Sequence, residues 1–138
     1  MDPMTCESAR GWVDEAKTFY LRVGKRIALA EFTNPGGMFS EGELYIFVLS
    51  FKGIMLAHGV NERFVGEDFI DIEDFDGKHF IKEIIDTAVE KGSGCVEYKW
   101  YHPKTKQILP KVVYFEKVDN LIICGGAYDV AILGHSLP

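Results

Sequence analysis

The chemically capable side chains of this sequence lie within short apolar runs, and most of them are aromatic or basic. The run from Cys95 to Tyr101 has the composition of a strand, in which alternate side chains point to opposite faces. Val96, Tyr98 and Trp100 therefore share one face. An aromatic pair on an inward face is suited to form the wall of a small-molecule pocket.

Lys111 begins an otherwise apolar stretch in which Lys111, Val113 and Phe115 share a face. A lysine in a partly desolvated pocket is a natural partner for a carboxylate, because a charge-assisted hydrogen bond is stronger than a neutral one. The alternative is a lysine that extends its ammonium group to water from the end of a strand. The residue pattern alone favours this alternative.

His58 ends a further apolar run, directly after Ala57. Its imidazole could donate to an anionic ligand, or it could be a core imidazole bonded to the backbone, which is the commoner arrangement for a lone histidine. Tyr45 and Tyr128 could supply hydroxyl or wall contacts, since a buried tyrosine hydroxyl needs a partner. The candidate ligand-binding residues are Tyr45, His58, Tyr98, Trp100, Lys111 and Tyr128.

The common catalytic and metal-binding motifs are absent from the sequence. It contains no nucleophile elbow, phosphate-binding glycine loop, zinc-protease helix motif or CxxC pair, and its four histidines lack short ligand spacing. The acidic run from Asp68 to Asp76 lacks the ligand pattern of a calcium loop, so it is interpreted as a solvated loop. An enzyme acting through His58 is the least favoured hypothesis. The sequence predicts no enzyme, no metal and no cofactor.

Composition limits the remaining classes of protein. The 138 residues suit one domain, and the net charge of −6 argues against binding to nucleic acid or anionic lipid. The three cysteines, Cys6, Cys95 and Cys124, lie far apart and are interpreted as small buried or partly buried thiols. The first residues do not resemble a signal peptide, so we expect a cytoplasmic protein or one whose export signal was removed.

Periodicity predicts an α+β fold with one antiparallel sheet. Apolar residues at three- and four-residue spacing predict a long first helix and a second, shorter one, and short runs of β-branched and aromatic residues predict five strands. A polar connection with apolar anchors crosses from the second strand to the second helix, whose N-cap is expected at Asp76. We expect helices on one face of the sheet, the other face being covered or forming a pocket under this crossover. The expected ranges are helices 8–32 and 77–90, strands 44–49, 54–58, 95–101, 110–118 and 121–128, and the crossover 59–78, with anchors Phe64, Phe69, Ile70, Ile72 and Phe75.

An ordered series of short motifs runs through these elements. It comprises Leu-Tyr-x-Phe-Val-Leu at 44–49, Ala57-His58, Gly-Lys-x-Phe at 77–80, Gly-Ser-Gly at 92–94, Tyr-x-Trp at 98–100, Pro110-Lys111 and a tyrosine at 128. In this order the motifs resemble the single Cache domains, which are PAS-like extracytoplasmic sensor modules of bacterial and archaeal chemoreceptors and histidine kinases. The resemblance covers residues 12–128, so 8–129 is taken as one sensor domain and 1–7 and 130–138 as flexible tails.

The resemblance implies a PAS-like fold with a long N-terminal helix, a five-stranded sheet, and a pocket between the sheet and the crossover. It further implies a ligand such as acetate, propionate, pyruvate or lactate, a role in chemotaxis or two-component signalling, and possible homodimers through the N-terminal helix. Membrane attachment would come only from parts outside this chain, with a periplasmic location if an export signal was removed. The Pro-Lys match favours Lys111 as the charge partner. The alternative is a free-standing scaffold module whose pocket is filled by its own side chains.

Two positions depart from the family pattern. Cys95 stands where the family usually has tryptophan, and Tyr101-His102-Pro103 stands where a proline usually follows Tyr-x-Trp directly. Both changes flank one strand, so they affect the expected pocket and ligand more than the fold.

Overall fold

The computed structural model describes residues 6–41, 44–102 and 104–128. The expected flexible tails lie largely outside these residues, although the first helix already begins at Cys6. The elements in chain order are α1 (Cys6–Val23), α2 (Lys25–Thr33), β1 (Ser40–Glu41), β2 (Leu44–Ser50), β3 (Met55–His58), a 3-10 turn (Glu62–Phe64), α3 (Phe80–Lys91), β4 (Ser93–Tyr101), β5 (Ile108–Val118) and β6 (Leu121–Tyr128).

The strands form one antiparallel sheet in the order β1-β2-β6-β5-β4, with β3 also paired to β2. The five expected strands and the α+β architecture are thereby confirmed. The two-residue strand β1 was not predicted. The register places Tyr98 of β4 opposite Lys111 of β5, and Lys111 opposite Tyr128 of β6. Three of the candidate residues therefore lie in one row across the sheet.

The first helix is broken, contrary to the prediction of one continuous helix. Gly24 separates α1 from α2 with a φ of 91°, a conformation that is costly for residues with a side chain. Its amide donates to the Tyr20 carbonyl at 2.9 Å and so closes the last turn of α1, while its carbonyl accepts from Ala28 at 3.0 Å and starts α2. Apolar periodicity continues through this glycine, which is why the sequence pattern concealed the break.

Helices cover both faces of the sheet, so the expectation of helices on one face was wrong. On one face α1 packs against β5 and β6, burying Val13 and Ala16, and α2 packs against β2 and β3. On the other face α3 packs against β4 and β5, burying Ile81 and Ile84. Both faces of the central strands are therefore apolar, and β2 has five consecutive buried residues.

The crossover docks on the same face as α3. Phe64, Phe69, Ile70 and Ile72 are half-buried against the core, as expected from their spacing in a polar stretch. Phe75, expected to be another anchor, is instead 66% exposed. The expected Asp76 N-cap was also wrong, because α3 begins at Phe80 after His79, which makes no side-chain cap. Gly92 ends α3 in the left-handed conformation, as the glycine pattern indicated.

The cysteines are not three independent thiols. Cys6 in the first turn of α1 and Cys95 on β4 form a disulfide, with Cα atoms 6.0 Å apart and a sequence separation of 89. Cys124 on β6 is a buried free thiol. The pairing was missed because it depends on α1 folding back across the sheet, which sequence spacing does not reveal.

Candidate ligand-binding site

A small cavity lies between the sheet and the crossover, at the position expected from the sequence. The sheet lines it with Tyr45, Phe47, Met55, His58, Tyr98, Trp100 and Lys111. The remaining wall comes from Phe64, Phe69 and Ile72 of the crossover and from Phe80 and Ile81 of α3. Its volume of about 30 Å³ is enough for about two or three water-sized groups. The site is therefore small and mostly apolar.

Lys111 supplies the cavity's positive charge. Its side chain is 1% exposed, so the alternative in which the ammonium group extends to water does not describe this structure. The Nζ atom donates to the Tyr45 hydroxyl at 2.6 Å and lies 4.2 Å from the centre of the Tyr45 ring and 5.3 Å from that of Phe47. Within the described residues, the ion pairs involve Arg10 and four other lysines, and none includes Lys111. A buried ammonium group so placed has unused capacity to bind an anion.

His58 contributes a neutral imidazole with a defined tautomer. Its Nδ1 accepts hydrogen bonds from the amides of Val60 at 3.2 Å and Asn61 at 3.0 Å, so the proton of the neutral ring is carried by Nε2. Burial and the nearby charge of Lys111 lower the pKa of His58 to about 3. His58 is therefore both a core imidazole bonded to the backbone and a potential Nε2–H donor, which combines the two alternatives raised by the sequence.

Tyr98 and Trp100 form an aromatic wall together with Phe80. The ring of Phe80 stacks on Tyr98 with centroids 3.9 Å apart, and Trp100 meets Phe80 edge-on at 5.4 Å. Burial raises the pKa of the Tyr98 hydroxyl well above its ordinary value, so the group stays protonated. The two residues predicted to be walls are brought together here, and Phe80 completes the wall.

Tyr128 is the candidate residue that the cavity does not include. Its hydroxyl donates to the carbonyl of Tyr101, and its ring centre lies 5.4 Å from Lys111 Nζ. Burial raises its pKa, which keeps this donor protonated. Tyr128 therefore packs beside the lysine and connects the ends of β6 and β4.

The cavity residues supplied by the crossover and α3 were not predicted to be members of the site. Phe64 packs edge-on against His58 with centroids 5.0 Å apart, and Phe69 packs in turn against Phe64 at 5.2 Å. The available signal was the presence of apolar anchors in a polar segment, which predicted docking without showing what they would cover.

The cavity offers polar groups at one end and apolar walls elsewhere. Its polar lining residues are Lys111, His58, Tyr45 and Tyr98. Within the described ranges, no group of three or more histidine, cysteine or acidic side chains is placed to hold a metal ion. No helix in that part of the chain is long and apolar enough to cross a membrane.

Comparison with known proteins identifies the family. The family model for the Cache domain, dCache_2, matches residues 34–129. The sensor histidine kinase MctS of Rhizobium johnstonii is 35% identical over 76 residues, which are 55% of this chain and 16% of that kinase. The chain therefore corresponds in length to a small part of that relative.

Solved structures share the fold. A Cache chemosensory domain described for its carboxylic acid recognition superposes with a TM-score of 0.68 at 22% identity, covering 89% of this chain and 87% of that one. A methyl-accepting chemotaxis protein from Vibrio parahaemolyticus gives 0.71 at 22% identity, covering 86% and 82%.

The chain belongs to the Cache domain family, and its fold is the PAS-like Cache fold. Cache domains are extracytoplasmic sensor domains of membrane receptors, including chemoreceptors and histidine kinases. The domains to which this chain is similar are sensory rather than catalytic.

Proposed function

We propose that this domain binds a short monocarboxylate in the cavity around Lys111, as the sensory part of a chemotaxis or two-component receptor. The observation that carries the proposal is the buried Lys111 ammonium group, whose side-chain hydrogen bond is to the Tyr45 hydroxyl. A carboxylate would supply the missing negative charge and accept from Lys111, from Nε2 of His58 and from a tyrosine hydroxyl.

The size and polarity of the cavity support a ligand of two or three carbon atoms with one charge. A volume of about 30 Å³ fits groups of the size of acetate or propionate, and pyruvate and lactate are the largest ligands considered. A dicarboxylate would place its second charge against Phe69, Ile72 or Ile81, where it would be desolvated without a partner.

The disulfide between Cys6 and Cys95 supports an extracytoplasmic location. Disulfides persist in oxidising compartments such as the periplasm and are rare in reducing cytosol. Homodimerisation through the N-terminal helix belongs to the same proposal. Leu21 on α1 and Ile27 on α2 are 63% and 51% exposed, which provides apolar surface for such a contact.

A second candidate is a scaffold module whose pocket is filled by its own side chains. The small cavity volume and the existing bond between Lys111 and Tyr45 favour it. The two candidates differ in what they predict for added carboxylates.

Titration calorimetry against acetate, propionate, pyruvate, lactate and succinate tests the proposal. We expect binding of at least one monocarboxylate, no binding of succinate, and a loss of affinity of about tenfold or more in Lys111→Met. Lys117→Met is the matched control, because Lys117 lies exposed on the same strand. Absence of binding by every acid would favour the scaffold, whereas binding with unchanged affinity in Lys111→Met would refute the assignment of Lys111 as the charge partner.

A further inference from the structure

The crossover is attached to the sheet differently on its two sides. Towards β3 it is held by main-chain hydrogen bonds, from Gly66 to the Met55 carbonyl at 2.8 Å, from Met55 to that of Glu67 at 2.9 Å, and from Phe69 to that of Gly53 at 2.9 Å. These bonds do not depend on any side chain. This side of the crossover is therefore fixed whenever the local backbone is folded.

Towards β4 the crossover is attached by side chains. The Asp74 carboxylate accepts from the amides of Asp76 and Lys78, both at 2.8 Å, and its other oxygen accepts from the Lys99 amide at 3.0 Å. The Lys78 ammonium donates to the Glu97 carbonyl at 2.7 Å. Because β4 pairs with β5 alone, Asp74 and Lys78 occupy hydrogen-bonding groups on its open edge.

A surface groove adjoins the cavity on this β4 side. It has a volume of about 260 Å³ and includes Asp74, Phe75 and Tyr101. Ile72 and Trp100 line both the groove and the cavity. These two side chains thus lie between the ligand site and this groove, one on the crossover and the other on β4.

We propose that Asp74 is a positioning residue that latches the crossover to β4 and so controls ligand passage between Ile72 and Trp100. The inference rests on the proposed function, because it takes the cavity as the ligand site. Opening would break the bond between Asp74 and Lys99 while the main-chain bonds to β3 stay intact, so that the crossover moves about its β3 side. Asp74 does not line the cavity and is not a ligand contact.

Thiol labelling tests the latch without knowledge of the ligand. Met55→Cys places a thiol in the cavity at a residue that is 4% exposed, and its rate of reaction with iodoacetamide reports opening. Cys124 is 0% exposed in the core and reports global unfolding in the same sample, while Cys6 and Cys95 are held in the disulfide. If Met55→Cys does not fold, Ile81→Cys places the reporter on the α3 wall of the cavity.

We expect Asp74→Asn to accelerate labelling of the cavity thiol by about tenfold or more, the factor that corresponds to losing a charge-assisted hydrogen bond, with Cys124 unchanged. Ile72→Ala should accelerate it as well. The matched control is Asp71→Asn, which removes the same charge from the same segment but breaks only a surface ion pair with Lys82, and should change the rate by less than about twofold.

Equal rates in Asp74→Asn and Asp71→Asn would overturn the latch, as would parallel acceleration at Cys124. Protection of the cavity thiol by acetate, propionate, pyruvate or lactate separates the two proposals. If none of these four acids protects the thiol but Asp74→Asn still accelerates its labelling, the carboxylate assignment fails and the latch stands. If an acid protects the thiol and Asp74→Asn has no effect, only the latch fails.

Discussion

The Lys111 ammonium group and the Tyr45 hydroxyl are joined by a 2.6 Å hydrogen bond, although 66 residues separate them in sequence and strand β6 lies between their strands in the sheet. The lysine side chain reaches across β6 on the cavity face. This contact places a buried positive charge beside Tyr45, and most functional expectations for the domain follow from it.

Removing that charge should stabilise the protein without ligand. We expect Lys111→Met to raise the free energy of unfolding by about 1–2 kcal/mol, because methionine fills similar volume and has no charge to desolvate. Urea denaturation measures the change. At least one of acetate, propionate, pyruvate and lactate should then stabilise the unmodified protein but not the variant. A clear loss of stability in Lys111→Met would contradict the interpretation of Lys111 as an uncompensated charge.

Acidification should destabilise the fold through His58. The pKa of His58 is about 3 in the folded protein and about 6.5 when unfolded, so the unfolded chain binds the proton first as the pH falls. The stabilising contribution is therefore complete above pH 6.5 and decreases below it by up to about 1.4 kcal/mol per pH unit, until the folded pKa is reached.

Urea titrations between pH 7 and pH 5 test this effect above the range in which carboxylates titrate. His58→Asn retains an acceptor for the amides of Val60 and Asn61 and should flatten the pH dependence. The exposed His79 provides the control, since His79→Gln should leave the slope unchanged. An unchanged slope in His58→Asn would show that another group causes the acid sensitivity.

Reduction of the disulfide should cost about 4 kcal/mol of stability, because Cys6 and Cys95 are 89 residues apart and their link restricts the unfolded chain. Denaturation with and without a thiol reductant measures the loss, and Cys6→Ser/Cys95→Ser should match the reduced protein. Cys124→Ala should retain the full response to reductant. A reductant effect that persists in the double serine variant would refute the assignment.

Substitution of two glycines by alanine should change the stability of the fold in opposite directions. A Cβ at Gly126 would lie 1.8 Å from the Val112 carbonyl oxygen, and we expect Gly126→Ala to destabilise the fold by about 3 kcal/mol or more. A Cβ at Gly11 on α1 would meet nothing within 4 Å, so Gly11→Ala should stabilise by up to about 1 kcal/mol. The melting temperatures of the two variants measure these changes. Equal stability of both variants would contradict the close approach of β5 and β6.

Sequence patterns gave correct predictions for features that depend on a single helix or strand. Alternation along β4 correctly placed Tyr98 with Trp100, and Gly92 correctly ended α3. The same patterns failed where two segments had to meet. Gly24 interrupts an amphipathic helix whose apolar periodicity continues on both sides. Phe75 resembles the other crossover anchors in sequence but is 66% exposed.

Periodicity and the ordered family motifs were sufficient to predict the α+β class and the five main strands. They also indicated six candidate residues, and five of these line the cavity. The Cys6–Cys95 disulfide, the burial of Lys111 and the attachment of the crossover through Asp74 are visible only in the folded structure. Each of these joins segments distant in the chain. Their geometry is set by how both faces of the sheet are covered, which no local spacing of residues encodes.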